Sequence, residues 1–386
     1  MTSSDRPLPG PPSTAVPAAQ ETSSVVLRGL SSTVADQVLT QVLADSTRRA
    51  VEISPSFAQL WAEIERLTQG GKRFRPALVA LTAQAYAQAD TGASAAITRN
   101  GAGRTVATVG AAFELLHSAL IIHDDVIDRD PRRRHGPTLH QAARDRAVAG
   151  GTTVERADHY GYSVGIIAGD LALAAAHRVT ATAGLSREKL NRVLDLLDYA
   201  VFASAAGELM DIDHALPGAR PSVEAVLEAT RLKTSVYSFE APLQAGAVIA
   251  GAPEAHIQAL REIGRNLGLA FQLADDLLGV FGSDQQTGKP TDGDLREGKH
   301  TLLIAEAAGQ VNADDVLALV GRHDLTAEEA ARIREHLEAG GARSAVEQQA
   351  RAAAARAVEV AESAQLPEGL TGALAAVAQD AVERIR

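Results

Sequence analysis

"LLHSALIIHDDVIDRD", Leu115 to Asp130, is an apolar, helix-patterned run that ends in acids. Four carboxylates, Asp124, Asp125, Asp128 and Asp130, fall within seven residues. At roughly 100° per residue, His117, Asp124 and Asp128 share a sector of about 40° on one helix face. Leu120, Leu116 and Phe113 lie beside that sector, toward the N-terminal side. An apolar groove therefore leads up to a carboxylate rim. Acids near a helix C-terminus oppose the macrodipole, and most charge runs are solvated faces. Here they share a stripe with apolar residues, which a solvated face does not need. Hard divalent cations explain it: Mg2+ takes one or two carboxylates together with waters and substrate phosphates.

"FQLADDLLGVFG", Phe271 to Gly282, repeats the arrangement about 150 residues later. Asp275 and Asp276 end an apolar run, with Gln272 between them on the helix wheel. Uncompensated buried carboxylates are costly, so two such clusters imply two helices facing each other across a cavity, with metals bridging to an anion. Basic groups should converge on that anion too. "GGKRFRPAL" supplies Lys72 and Arg75, with Pro76 suited to the first position of a helix whose N-terminus favours phosphate. "DPRRRHGPTLH" supplies Arg132, Arg133 and Arg134, able to grip a diphosphate bidentately. "RLKTSV" places Lys233 and Thr234 at a helix break, and "TGKPTDGDLREGKHT" places Lys289 and Lys299 after the second acids. Taken singly, each basic group is better read as a surface ion pair. No Walker A loop is present.

Composition bounds the rest. The chain has 386 residues, 46% hydrophobic but only 3% aromatic, so the core must be built from Ala, Leu, Val and Ile, which suits close-packed helices. A net charge of -11 argues against nucleic-acid binding, and the lack of Cys excludes disulfides and thiolate chemistry. No run of eighteen apolar residues is present, so no membrane span is expected, and no secretory signal is seen; the cytoplasm is the default compartment. Residues 1–25 read as a disordered Pro/Ser/Thr-rich tail, and 26–386 as one all-α domain. Helices are expected near 27–50, 57–69, 77–90, 105–129, 161–183, 187–214, 222–234, 236–250, 255–282, 299–309, 313–321, 326–339, 343–363 and 369–385. "QADTGASAAITRNGAGR" and "RAVAGGTTVERADHYGY" read as surface connections, and no strands are expected.

In order along the chain, "GGKRFRP", "HDDVID", "RRRHGPT", "GELMDID", "KTSVYS", "FQLADD" and "GKPTDGDLREGK" resemble the motifs of the trans-isoprenyl diphosphate synthases, the polyprenyl synthetase family. The resemblance covers roughly 40–340. It implies a single large helical bundle around a central cavity, usually homodimeric, and condensation of isopentenyl diphosphate with an allylic diphosphate (dimethylallyl, geranyl or farnesyl). It implies Mg2+, three ions to a site, on Asp124, Asp128 and Asp275, with Asp125 and Asp276 beside them. Isopentenyl diphosphate would meet Lys72, Arg75, His117 and Arg134. The allylic diphosphate would meet Arg133, Lys233, Lys289 and Lys299, and its carbon chain Thr234 and Gln272. Glu208 and Asp211 fill the motif on the helix between. Two departures stand out. Gly279 replaces the last acid of the second motif, and His135 stands where the family has Gly.

Product length should be set in the groove above Asp124. A helical turn of about 5.4 Å matches one isoprene unit. In the family, an aromatic at the fourth or fifth residue before the first Asp stops growth at fifteen carbons. Here Leu120 and Ala119 stand there, so Leu116 and then Phe113 become the stops, with Phe202 closing the pocket from a facing helix. A twenty-carbon product, geranylgeranyl diphosphate, is expected, with longer chains or farnesyl diphosphate as alternatives. A class I terpene cyclase would lack "GGKRFRP". A non-catalytic regulatory subunit would have lost acids or lysines that this chain keeps.

Overall fold

The computed structural model describes residues 33–69, 71–89, 102–133, 136–216, 218–282, 292–310, 313–322 and 324–385. The expected tail at 1–25, together with Arg134 and Lys289, lies outside the described residues. Helices α1 (Thr33–Val51), α2 (Pro55–Thr68), α3 (Phe74–Ala89) and α4 (Ala102–Ile127) come first. A two-residue antiparallel pair follows, β1 (Arg132–Arg133) with β2 (Gly136–Pro137). Next are α5 (Leu139–Ala149), α6 (Val154–Ala181) and α7 (Arg187–His214). Helix α8 (Val223–Thr230) runs directly into a π-wound segment, Arg231–Glu240, and on into α9 (Ala241–Ala250). The remainder is α10 (Glu254–Phe281), α11 (Gly293–Glu297), α12 (Leu302–Ala308), α13 (Ala313–Leu317), α14 (Ala327–Ala339), α15 (Ala342–Ser363) and α16 (Glu368–Glu383).

The all-α class is as expected, with local corrections. Helix α5 was not expected. It buries only Leu139, His140 and Ala143, too narrow a stripe to read as a helix. The supposed connection "RAVAGGTTVERADHYGY" shrinks to 150–153, because α6 starts with a polar turn at Val154. The β1–β2 pair, also not expected, is a two-residue ladder in an Arg- and Pro-bearing turn with no strand composition. Pro76 is the third residue of α3, not the first. The break expected at Lys233 and Thr234 is instead the π segment, where wider winding shifts the apolar phase without ending the helix.

Small residues let these helices approach closely. Helix α6 buries Gly161, Gly165, Ala168, Gly169, Ala172 and Ala176. A Cβ at Gly165 would lie 2.4 Å from Val126 Cγ2, and one at Gly169 only 2.1 Å from His123 Nε2. The acid-bearing end of α4 is thus pressed onto α6 through glycine. The π segment is nested in the same way. A Cβ at Gly207 would lie 2.3 Å from the Lys233 backbone nitrogen, one at Gly264 2.6 Å from Glu240 Cα, and one at Gly268 2.4 Å from Ser235 Cβ. Apolar packing fills the rest: Leu78, Leu115, Leu116, Leu243 and Leu260 are fully buried. By length and hydropathy Gly103–Ile127 and Val154–Ala181 match a membrane span, whereas none was expected; 78% of the first apolar window is buried inside the protein, and 44% of the second.

Gly207 faces backbone, which cannot rotate away as a side chain can. Gly207→Ala should therefore cost about 1–3 kcal/mol, the usual range for overpacking. A lowered denaturant midpoint with an unchanged slope would register it.

Candidate active site

The loop before α3 is built around Arg73. Its backbone is left-handed, at φ 50°. Its guanidinium donates to Asp36 at 2.6 Å, to the Thr68 carbonyl at 2.7 Å and to Glu114 at 3.2 Å. This fixed centre sends its two neighbours apart. Lys72 goes toward the second acidic helix, where its charge acts on Asp275. Arg75 turns inward: its Nη2 donates to Ser238 Oγ at 2.8 Å and to Tyr237 OH at 3.3 Å, and the guanidinium lies 4.8 Å over the Tyr237 ring. His117 Nδ1 stands 3.3 Å from the same hydroxyl. So Arg75 and His117 meet at Tyr237. Tyr237 and the buried Glu114 were not singled out in the sequence, although a lone acid in "GAAFELLHS" marks a group that needs cationic partners.

At the end of α4, three acids are sorted by burial. Arg133, carried by β1, donates Nε to Asp125 at 2.6 Å and Nη2 to Asp124 at 3.0 Å. Asp125 is 1% exposed, and its Oδ2 has no hydrogen-bond partner among the described residues. Burial pushes its carboxyl up to about 6 against the pull of Arg133. Asp124 is raised by burial, but Lys233, Lys299 and Arg133 outweigh this and hold it below the usual carboxylate range. Burial leaves Asp128 above that range despite Lys299.

Lys233, on the π segment, is the first hub. Its Nζ lies 2.7 Å from Asp211, 3.0 Å from Glu208 and 3.3 Å from Asp124. Burial would lower its pKa, but these three acids raise it above the ordinary value, so it stays charged. Lys299 is the second hub. Its Nζ lies 2.8 Å from Glu297, 3.1 Å from Asp128 and 3.9 Å from Asp294, and these acids likewise overcome burial. Glu297 and Asp294 are additions to the expected set, from a stretch where only the lysines were marked. Thr234 follows Lys233 on the π segment, half-buried.

The second acidic helix divides its pair. Asp276 is 8% exposed and accepts from Gln272 Nε2 at 2.8 Å. Asp275 points outward, its side chain 58% exposed, and pairs with Arg384 Nη1 at 3.0 Å. Arg384 also covers the Phe271 ring at 4.8 Å. Nothing local in the sequence marks Arg384, because the contact spans the chain from α10 to the residue after α16. Of the residues expected to line the groove, Ala119, Leu116 and Phe113 are buried and Leu120 is half-buried. Phe202 is a correction. It is 72% exposed on the outer face of α7 and does not close the pocket of its own chain. Its position fitted a facing helix; the helix rotation puts it outside.

Among the described residues no three acids or histidines converge as a ready-made metal cage. Mg2+ does not require one where phosphate oxygens and waters complete its shell. All-oxygen donors on Asp124, Asp128 and Asp275, already held beside lysines and arginine, fit that ion.

Because its carboxyl is buried, the Asp276 pKa rises from 3.8 to about 7, with Gln272 opposing. The folded protein then binds the extra proton between those values, so this group's contribution to stability falls as pH rises across that window. Asp276→Asn should gain stability relative to the parent from pH 4 to pH 8, with the two converging at pH 3. Chemical denaturation in chelator at each pH measures the difference.

The polyprenyl synthetase family profile matches residues 59–337. A geranylfarnesyl diphosphate synthase of Aeropyrum pernix is 33% identical, over 67% of this chain and 73% of its own length. A (2E,6E)-farnesyl diphosphate synthase of Mycobacterium tuberculosis is 29% identical, over 81% of this chain and 80% of its own. The crystal structure of a geranylgeranyl pyrophosphate synthase from Corynebacterium glutamicum, complexed with isoprenyl diphosphate and magnesium, has a TM-score of 0.83 at 32% identity, covering 93% of this chain and 99% of that one. A lysine-bridged cluster of acids in a helical bundle with these relatives has one reading: the chain belongs to the polyprenyl synthetase family and is a prenyltransferase.

Proposed function

We propose that the chain condenses isopentenyl diphosphate with an allylic diphosphate, head to tail and in trans, to give geranylgeranyl diphosphate. One observation carries this reading. Lys233 and Lys299 tie Asp124 and Asp128 of the first acidic helix to Glu208 and Asp211 on α7 and to the loop that follows the second acidic helix. A diphosphate at this place would meet cationic side chains and carboxylate-held metal together. Mg2+ bound at Asp124, Asp128 and Asp275, three ions by the family pattern, would supply positive charge to the departing diphosphate. Lys233, Lys299 and Arg133 add fixed charge at the same oxygens, stabilising what develops as the allylic C–O bond ionises. Arg75, His117 and Lys72 are the candidates for orienting isopentenyl diphosphate, so that its double bond meets the allylic carbon in a dry site.

Product length follows from the floor of the groove. Ala119, with the smallest side chain, is the narrow point where a bulkier group would shorten the groove, and Leu116 and Phe113, like it at most 1% exposed, fill the turns below. The chromatographic test uses the purified chain with Mg2+, labelled isopentenyl diphosphate and each allylic primer in turn. Turnover to a twenty-carbon product is expected. Ala119→Phe should shorten the main product by at least one isoprene unit. No turnover with any primer would reject the enzymatic reading, and an unchanged product in the variant would reject this groove.

The expected homodimer has support of its own. Ile166 and Ile167 on α6, Phe202, Leu209 and Ile212 on α7, and Leu216 just beyond it, are exposed at 40–72%. A second copy of this apolar face would cover them, as isologous pairing requires. Sedimentation should give twice the chain mass, and Phe202→Asp with Leu209→Asp should shift it toward monomer.

A further inference from the structure

The π segment opens on Arg231 and closes on Glu240, and these two side chains meet. Arg231 Nη1 lies 3.4 Å from Glu240 Oε1. Over the nine steps between them an α-helix turns through about 900°, two and a half turns, which would put the two side chains on opposite sides. Wider winding, with only about two turns over the same steps, brings them to one side. The contact is therefore one that α-winding of this stretch would not make. Neighbouring groups hold it. Arg231 also donates Nε and Nη2 to the two carboxylate oxygens of Glu228 on α8, at 2.9 Å and 2.7 Å. Arg261 on α10 stands 3.5 Å from the other Glu240 oxygen, and its guanidinium lies 5.6 Å over the Tyr199 ring of α7. Glu240 itself is 2% exposed, and burial raises its pKa although both arginines oppose this. Buried ion pairs add little stability over apolar side chains of the same size; their best-attested use is to select one arrangement over another.

We propose that Glu240, with Arg231 and Arg261, is a positioning residue for prenyl transfer: this clamp selects the wide winding and thereby aims Lys233 at the diphosphate. Lys233 is two steps from Arg231, so it projects from the far side of the segment, roughly 160° around from the clamp. There it meets Asp124, Glu208 and Asp211. If the segment relaxed to α-winding against the buried α9, Lys233 would swing by roughly 140° about the axis and leave those acids. The clamp resists that change, because α-winding would part Glu240 from Arg231 and leave a buried carboxylate short of a partner. The inference rests on the reading that Lys233 meets the diphosphate, so the experiment tests the two separately.

The test is a double-mutant cycle on the full chain, in which calorimetry reads the tightest binding of inorganic pyrophosphate in the presence of Mg2+. Lys233→Ala should weaken it by about 10-fold or more, the scale of a lost hydrogen bond to a charged group. Glu240→Met keeps the volume of the side chain and leaves Arg231 to Glu228 and the half-exposed Arg261 to solvent. It should weaken binding by about 10-fold as well, through the misdirected lysine. In the Lys233→Ala background the same change should cost less than about 3-fold, because no lysine remains to be aimed. A larger loss in that background would show that the triad only supports the fold, and would overturn the proposal. So would unchanged binding in Glu240→Met beside a weakened Lys233→Ala, which leaves the lysine reading standing. If Lys233→Ala has no effect, both fail. Thermal melts check that each variant is folded. If Glu240→Met is not, Glu240→Gln, which removes only the charge, replaces it, with at least about 3-fold expected in the parent and under about 1.5-fold in Lys233→Ala.

Discussion

Mutual repulsion among carboxylates is the constraint around which this molecule is arranged. Asp124, Asp128, Glu208, Asp211, Asp294 and Glu297 come from α4, α7 and the α11 region, yet all lie within 4 Å of one of two lysine nitrogens. Buried like charges on this scale are tolerated only where cations stand between them. Lys233 and Lys299 do so, each shared among three acids, and Arg133 does the same for the pair at the end of α4. The lysines keep their protons because the acids outweigh burial. The lysine-bridged part of the site is therefore held in a charged state.

Backbone nesting fixes the position of Lys233. Gly207 on α7 and Gly264 on α10 meet the π segment backbone to backbone, and Gly268 on α10 meets the short Ser235 side chain. The segment cannot slide without meeting backbone. Gly165 and Gly169 likewise seat the acidic end of α4 on α6. A core short of aromatics makes this possible: small residues trade packing volume for proximity, and proximity is what a site made of single side chains from many helices requires.

Much of this could be read from the sequence, and the reasons for the exceptions are physical. The long helices show their apolar period, and the two acidic runs interrupt it where no solvated face would. Helix α5 was invisible because it buries three residues only. The π segment looked like a break because the apolar phase slips there while the helix continues. Phe202 was misplaced because a helix's rotation about its axis is fixed by packing partners, which spacing alone does not reveal. Arg384 was missed for a related reason: its contact with Asp275 crosses the fold, and no local pattern encodes it.

The π segment also sets the angular relation between its two flanks. An α-helix advances about 100° per residue, so one surplus residue in a wide turn re-aims everything downstream. Helix α8 packs Val226 into the smaller hydrophobic cluster with Leu273 and Leu277, whereas α9, with Leu243 and Ala245 fully buried, packs into the main core. Each flank can thus satisfy its own surroundings without forcing the other out of register. The lysine lies at the joint, and the extra backbone there works as a phase adjuster between the stability of the protein and the aim of its chemistry.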